Sequence, residues 1–471
     1  MAGSSDNRAQ SLDALRGLAI LLMVLSGIVP FRVLPAWMYH AQLPPPTHVF
    51  DSTLAGLTWV DLVFPMFLFA MGAAIPLAMG RRIARGEGML SLIGSLLGRG
   101  AMLAFFAIFL QHVRPYTLNP DPSAATWLTA LGGFAALFMI YTAVPAAWST
   151  IRRYLLRGAG LAAALGLLLY VSFPDGSGFK LTRSDIIIIV LANMAVFGGL
   201  VWLWTRENLL LRLGVMAVLL AAILSASVED GWVHTLWNAS PAPWVFRFYY
   251  LKYLFIIIPG MIAGEQLIQW QQSLREQPLR TWSTWQYAFL VGSAVALVLI
   301  ALAGLQLRFS GMTFLSSVVV CLGMLALVRK AVTPAERTLR LMVQWAVFWL
   351  VLGLVFEPFE GGIKKDWSTW SYYFVTAGLS GMILIAFMIV LDVYRRQIGC
   401  RWLVENGQNP MLAYVGMMNL LYPVLGLTGL LEFIGGFTTS PLAGVVRAVI
   451  YTLLLAWIVA LFRRKKLIWK A

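Results

Sequence analysis

Leu12-Asp13-Ala14-Leu15-Arg16-Gly17 stands at the mouth of one apolar run and Asp61-Leu62-Val63-Phe64-Pro65 at the mouth of the next, with His40 and His48 in the stretch between them. Ionisable residues at the ends of membrane spans are costly beside lipid and are usually kept there for function. The pattern therefore predicts two membrane helices joined by a loop that is the first place to look for chemistry.

Composition extends this reading to the whole chain. Of 471 residues, 60% are hydrophobic and only 12% charged, with a mean hydropathy of +0.79, where soluble domains carry about 25% charged residues. Apolar runs long enough to cross a bilayer fall near 12–30, 60–80, 92–113, 125–145, 155–173, 184–205, 208–226, 248–268, 286–306, 311–329, 341–357, 370–394, 409–428 and 441–462. The expectation is an all-α polytopic integral membrane protein of about fourteen transmembrane helices, forming a single domain over 1–471. Twelve is the fallback, because the sixth and seventh runs are separated only by Arg206-Glu207-Asn208 and the eleventh is short.

Basic residues set the orientation. Alternate loops collect Arg81, Arg82 and Arg85; Arg152, Arg153 and Arg157; Arg395, Arg396 and Arg401; and the tail Arg463 to Lys466. By the positive-inside rule these are cytoplasmic, which places both termini inside. The net charge of +15 is then a topology signal and implies no nucleic-acid partner. Asp13 and Arg16 interrupt the start of the first run, and no small-residue cleavage site follows its apolar core, so it reads as a retained helix and not a cleaved signal. Two cysteines, Cys321 and Cys400, are too few for a disulfide framework or a zinc site, and no metal is expected. No P-loop, H-E-x-x-H or G-x-S-x-G pattern is present.

On this topology all four histidines, His40, His48, His112 and His234, fall near the outer face. Histidine is the side chain suited to proton transfer near neutrality. His112 and His234 read as interfacial residues, whereas His40 and His48 share the loop that precedes Asp61. Asp61, Arg99, Asn193, Lys252, Glu265, Glu357, Asp392 and Arg447 lie within spans and should face the bundle interior or a wet cavity. Trp367, Trp370, Tyr372 and Tyr373, with Phe246, Phe248, Tyr249 and Tyr250, read as interfacial anchors. Gly260 and Gly264 match the G-x-x-x-G spacing of closely packed helices.

Three segments carry a resemblance. Ser11-Leu12-Asp13-Ala14-Leu15-Arg16-Gly17-Leu18-Ala19-Ile20, Tyr39-His40-Ala41 and Gly56-Leu57-Thr58-Trp59-Val60-Asp61-Leu62-Val63-Phe64-Pro65 resemble the heparan-alpha-glucosaminide N-acetyltransferase family and its bacterial relatives of the DUF5009 type. Gly362 to Tyr372 and Asn409 to Val415 resemble two later family motifs. Departures are the insertion Pro44-Pro45-Pro46, Leu43 where the family has tryptophan, and Gly27 where animal members have asparagine.

The resemblance implies a transmembrane acyltransferase of the bacterial cytoplasmic membrane. It would move an acetyl group from cytoplasmic acetyl-CoA, as acyl donor, to an amino sugar or similar acceptor on the outer side. A loop histidine would act as base or acyl carrier. His40 matches the family's histidine and His48 competes with it; Asp61 would fix the tautomer of the ring. Arg16, Arg81, Arg82 and Arg99 are the candidates for the CoA phosphates, and Lys364, Lys365, Trp367, Asn409 and Tyr414 for the acceptor. The implied partners are the donor, the sugar-like acceptor and the lipid bilayer, with a homodimer left open. The alternative is a carrier of sugar or a lipid-linked intermediate that does no chemistry.

Overall fold

The computed structural model describes residues 9–144, 147–276 and 281–471; the polar stretch Met1 to Asn7 lies outside them. Among the described residues the chain is all-helical apart from an isolated bridge between Thr142 and Trp469. Each of the fourteen apolar runs falls on a helix: α1 (Gln10–Ser26), α2 (Trp59–Ile83), α3 (Met89–His112), α4 (Ala124–Tyr141), α5 (Thr150–Tyr170), α6 (Ile186–Thr205), α7 (Leu209–Ser225), α8 (Leu254–Glu276), α9 (Thr284–Gln306), α10 (Ser310–Val328), α11 (Pro334–Phe359), α12 (Trp370–Met388), α13 (Pro410–Leu427) and α14 (Pro441–Arg464). Among the described residues eleven helices are long and apolar enough to cross a membrane. The other three fall short for visible reasons: α1 and α7 have 17 residues each, and α5 opens with Arg152, Arg153 and Arg157.

Helix α2 lies at the centre, packed against α1, α6, α8 and α12. Its seam with α8 is set by glycine: a Cβ on Gly260 would lie 2.3 Å from the Phe69 carbonyl oxygen, and one on Gly264 2.2 Å from that of Ala73. The two backbones therefore touch, as the 260–264 spacing suggests. A second close approach joins α1 to the short helix Cys400–Gly407, where a Cβ on Gly17 would meet the Leu403 carbonyl oxygen at 1.8 Å. This contact explains Gly17 in the opening motif better than any chemistry does.

Most span-embedded polar groups pair within the bundle, where an unpaired charge is expensive. Glu265 accepts from Arg212 (2.7 Å) and Trp202 (2.8 Å), Glu357 from Arg308 (2.7 Å), and Asp392 from the Trp270 indole (3.0 Å). Asn193 donates to the Ile189 and Val245 carbonyls at 2.8 and 2.7 Å, and Arg447 to Thr438 at 2.7 Å. Lys252 sits 4.7 Å over the Tyr249 ring.

Two expectations change. Tyr372 and Tyr373 are core residues, 1% and 0% exposed, and not interfacial anchors. His112 is wholly buried rather than interfacial: its Nδ1 donates to the Ile108 carbonyl at 2.7 Å while Nε2 accepts the Lys180 backbone N–H at 3.2 Å, so both ring nitrogens are spent on structure.

Overpacking a tight helix crossing costs about 1–3 kcal/mol. Gly17→Val should accordingly lower the melting temperature of the detergent-solubilised protein. Gly214→Ala, where an added Cβ meets nothing within 4 Å, should change stability by about 1 kcal/mol or less. Equal melting temperatures for Gly17→Val and its parent would contradict the close crossing.

Candidate active site

The site is assembled from two loops, one between α1 and α2 and one between α11 and α12. Tyr39 pins the first: its hydroxyl donates to the Pro30 carbonyl at 2.7 Å and accepts the Leu34 N–H at 2.9 Å. The loop then enters α2 through a capping box, with Thr58 at the N-cap and Asp61 at N3. Asp61 is fully buried. Its Oδ2 accepts the N–H groups of Ala41 and Thr58, both at 3.1 Å, and the Thr58 hydroxyl at 3.0 Å. Its Oδ1 is left facing the ring of His40.

Asp61 Oδ1 lies 3.0 Å from His40 Nδ1 and 3.9 Å from Lys365 Nζ. On the other side of the ring, Nε2 is 3.0 Å from Asp366 Oδ2. The Asp61 approach is close but not an aligned hydrogen bond, and the Gln42 N–H also points at Nδ1 from 3.2 Å. The surroundings thus serve both charge states of the ring. A neutral imidazole protonated on Nε2 donates to Asp366 and accepts from Gln42; an imidazolium meets a carboxylate at each nitrogen. Burial disfavours the charged ring, yet the carboxylates of Asp366 and Asp61 outweigh it and hold the His40 pKa above its ordinary 6.5.

The second loop is stitched to the first by backbone-like contacts. Gln42 Oε1 accepts the Asp366 N–H at 2.9 Å while its amide nitrogen donates to the Asp366 carbonyl, and Gly56 N–H donates to the Ile363 carbonyl at 2.8 Å. Glu360 caps α12 by accepting the N–H groups of Trp370 (2.6 Å) and Ser371 (2.8 Å). The Tyr372 hydroxyl donates to the Asp61 carbonyl at 3.0 Å, which fixes α12 against the mouth of α2.

Two cavities adjoin at Ile187, and the first of them reaches the loop before α12. One, of about 710 Å³, is walled by Tyr249, Tyr250, Tyr253, Trp367, Arg247, Lys365 and Asp366 among others. The other, of about 640 Å³, is lined by Arg16, Arg81, Arg99, Lys470, Tyr414 and Asp13 together with apolar side chains of α1, α2, α3 and α6. Its wall therefore holds four basic side chains against one acidic side chain. Arg16 is 3.2 Å from Asp13. Among the described residues Arg81 and Arg99 make no hydrogen bond or ion pair.

Residues 8–267 match the family described as a domain of unknown function, DUF5009, more than half of the sequence. The chain belongs to the DUF5009 family. Its family segment contains His40, Asp61, Arg16, Arg81 and Arg99 but stops short of Lys365 and Asp366. The chain is also similar to two heparan-alpha-glucosaminide N-acetyltransferases. It is 36% identical to that of Mus musculus over 117 residues, 25% of this chain and 16% of the relative, and 35% identical to that of Homo sapiens over 113 residues, 24% and 15% respectively. The match thus spans about a sixth of the length of either relative.

The structure brings together His40, Asp61 and Lys365, with Trp367 on the adjoining cavity wall. It separates others. His48 is buried between the rings of Phe31 and Tyr39, both at 4.9 Å, and its two nitrogens have no partner among the described residues. Arg82 is turned to Glu87 (2.9 Å) and Ser95, outside the arginine-lined wall. His40, Asp61, Lys364 and Asn409 line neither cavity; of the cluster around His40 only Lys365 and Asp366 do. Asn409 instead clasps the C-terminal strand of chain, donating to the Leu467 carbonyl and accepting the Trp469 N–H, both at 3.0 Å. Tyr414 is on the arginine-lined wall, where its hydroxyl donates to Asp185 at 2.7 Å. Asp366, Gln42 and Asp185 escaped the sequence reading; Asp366 alone carried a signal, as the carboxylate inside the later motif.

Because the His40 pKa is raised in the fold, stability from its protonation is fully present below about pH 6.5 and is lost as pH rises through the higher folded value. Asp366→Asn removes one of the two carboxylates responsible, so imidazole NMR of the purified protein should show His40 titrating at lower pH in that variant. An unmoved titration would mean that Asp366 does not act on the ring.

Proposed function

We propose that this protein is a membrane-embedded acetyltransferase of the heparan-alpha-glucosaminide N-acetyltransferase type, with acetyl-CoA in the arginine-lined cavity and an amino sugar or similar amine in the tyrosine-lined one. The observation that carries the reading is His40, held between Asp61 and Asp366, the latter a residue of the tyrosine-lined wall. A histidine so placed has the geometry of a general base with an orienting carboxylate behind it. Asp61, buried with one oxygen hydrogen-bonded and the other facing the ring, is the orienting group; Asp366, 45% exposed at its side chain, is the group that an incoming amine displaces from Nε2.

The chemistry follows. As the amine displaces Asp366 from Nε2, the neutral ring takes the tautomer with its proton on Nδ1 toward Asp61, and Nε2 accepts a proton from the attacking amine as the amine nitrogen bonds to the thioester carbonyl carbon. The C–S bond breaks, the thiolate leaves toward the arginine-lined side, and the imidazolium returns its proton to that sulfur. Lys365, 3.9 Å from Asp61, is the nearest cation to the carbonyl oxygen that gains charge in this step. Tyr249, Tyr250, Tyr253 and Trp367 offer the aromatic faces and hydroxyls on which a sugar ring packs.

A volume of about 640 Å³ is within the range of small-molecule and cofactor sites. Two cations of its wall, Arg81 and Arg99, make no hydrogen bond or ion pair among the described residues and would find partners in an anionic nucleotide. On this reading the arginine-lined cavity faces the cytoplasm, both termini lie inside, and the protein resides in a bacterial cytoplasmic membrane.

Purified protein given radiolabelled acetyl-CoA and glucosamine should transfer label. His40→Ala should reduce that rate by about 10²–10⁴-fold, the usual worth of a positioned general base, while donor binding persists. Arg99→Ala should instead weaken donor binding several-fold. Unchanged turnover in His40→Ala would remove the ring from the reaction, and counterflow of intact sugar in vesicles without any thioester would support the carrier.

A further inference from the structure

We infer that Ile187, in the first turn of α6, is the seal between the two cavities and the gate through which the acyl end of the donor reaches His40. The inference rests on the proposed reaction for its cargo, but the seal itself is a property of the fold.

Ile187 is the one side chain common to both cavity walls. Its neighbours divide between them: Ile186 and Val190 belong to the tyrosine-lined wall, Ile188 and Leu191 to the arginine-lined wall. The same division recurs on α2, where Phe64 faces the first and Phe67, one turn on, the second. At Ile187 a single apolar side chain, itself half-buried, borders both cavities.

The turn that carries Ile187 is held by polar contacts reaching into the arginine-lined wall. Asp185 caps α6, its Oδ1 accepting the N–H groups of Ile187 at 3.1 Å and Ile188 at 3.3 Å. Its Oδ2 accepts the Tyr414 hydroxyl at 2.7 Å and lies 3.9 Å from Arg114. Tyr414 itself lines the arginine cavity. A ligand filling that cavity would press on the residue that fixes the gate's cap, so donor occupancy and the position of Ile187 are mechanically linked.

An apolar constriction suits this task. It excludes water, which would hydrolyse the thioester, and the charged nucleotide, which stays with the arginines, yet admits a slender uncharged acyl arm. Hydrophobic constrictions act in this way by remaining dewetted until a side chain moves.

The test uses single cysteines in the full-length protein, in a Cys321→Ala, Cys400→Ser background reconstituted in vesicles, with a membrane-impermeant thiosulfonate applied to one face at a time. Ile187→Cys should be modified from both faces, Ile186→Cys from the tyrosine-lined side only and Ile188→Cys from the arginine-lined side only. Modification of Ile187→Cys from one face alone, or from neither while its flanking variants react, would overturn the gate. This readout needs no turnover, so it survives a failure of the acetyltransferase reading and fails independently of it. In the working enzyme, Ile187→Ala should raise release of free acetate relative to transfer at least several-fold, and Ile187→Trp should cut transfer at least tenfold with donor binding retained; no change in either ratio would count against the gate.

Discussion

A single buried carboxylate governs the arrangement of the site. Asp61 is wholly enclosed at the first turn of α2, and an isolated anion there would cost several kcal/mol or more. Ala41 and Thr58 satisfy one oxygen; His40 and Lys365 face the other. Satisfying it requires the loop after α1 to fold back over the mouth of α2 and the loop before α12 to bring Lys365 alongside. Asp366 arrives with Lys365, and Gln42 bonds its backbone from both sides. The same contacts that compensate the charge therefore leave His40 with a carboxylate at each ring nitrogen, beside Lys365 and Asp366 of the tyrosine-lined wall.

Much of this was legible in the chain and some was not, for identifiable reasons. Membrane spans are written in local apolarity, so all fourteen runs fall on helices without any knowledge of packing. His40 and Asp61 were visible because one sits in the segment joining the first two spans and the other at the mouth of the second span. Asp366 was not, since its partner is 326 residues away and nothing local marks the pairing. Tyr372 and Tyr373 were misread as interfacial because an aromatic near a span end has the same local pattern whether it faces lipid or core. Asn409 looked like a substrate contact for a similar reason: its neighbours fit a motif, while the Leu467–Trp469 backbone that it clasps is distant in sequence.

The two cavities give the layout a division of labour. Arginines gather in one, and tyrosines with Trp367 in the other, with α6 and α2 sharing the wall between. The helix turn that forms the thinnest part is held by Asp185, whose second oxygen is bonded to a residue of the arginine-lined wall. Membership of the DUF5009 family covers α1 to most of α8, which includes this wall, His40 and Asp61, whereas Lys365 and Asp366 are supplied by the remaining part of the chain.

The central claim is that a donor entering from the arginine-lined side presents its acyl carbon to His40. Determining the structure of the protein with a non-hydrolysable thioether analogue of acetyl-CoA tests it most directly. The account predicts the diphosphate against Arg81 and Arg99, and the acyl carbonyl beyond Ile187 within about 5–7 Å of His40 Nε2, leaving room for the attacking nitrogen between them at near-attack separations of about 3 Å on each side. An analogue bound with its acyl end remote from His40, or with its nucleotide among the tyrosines, would contradict it.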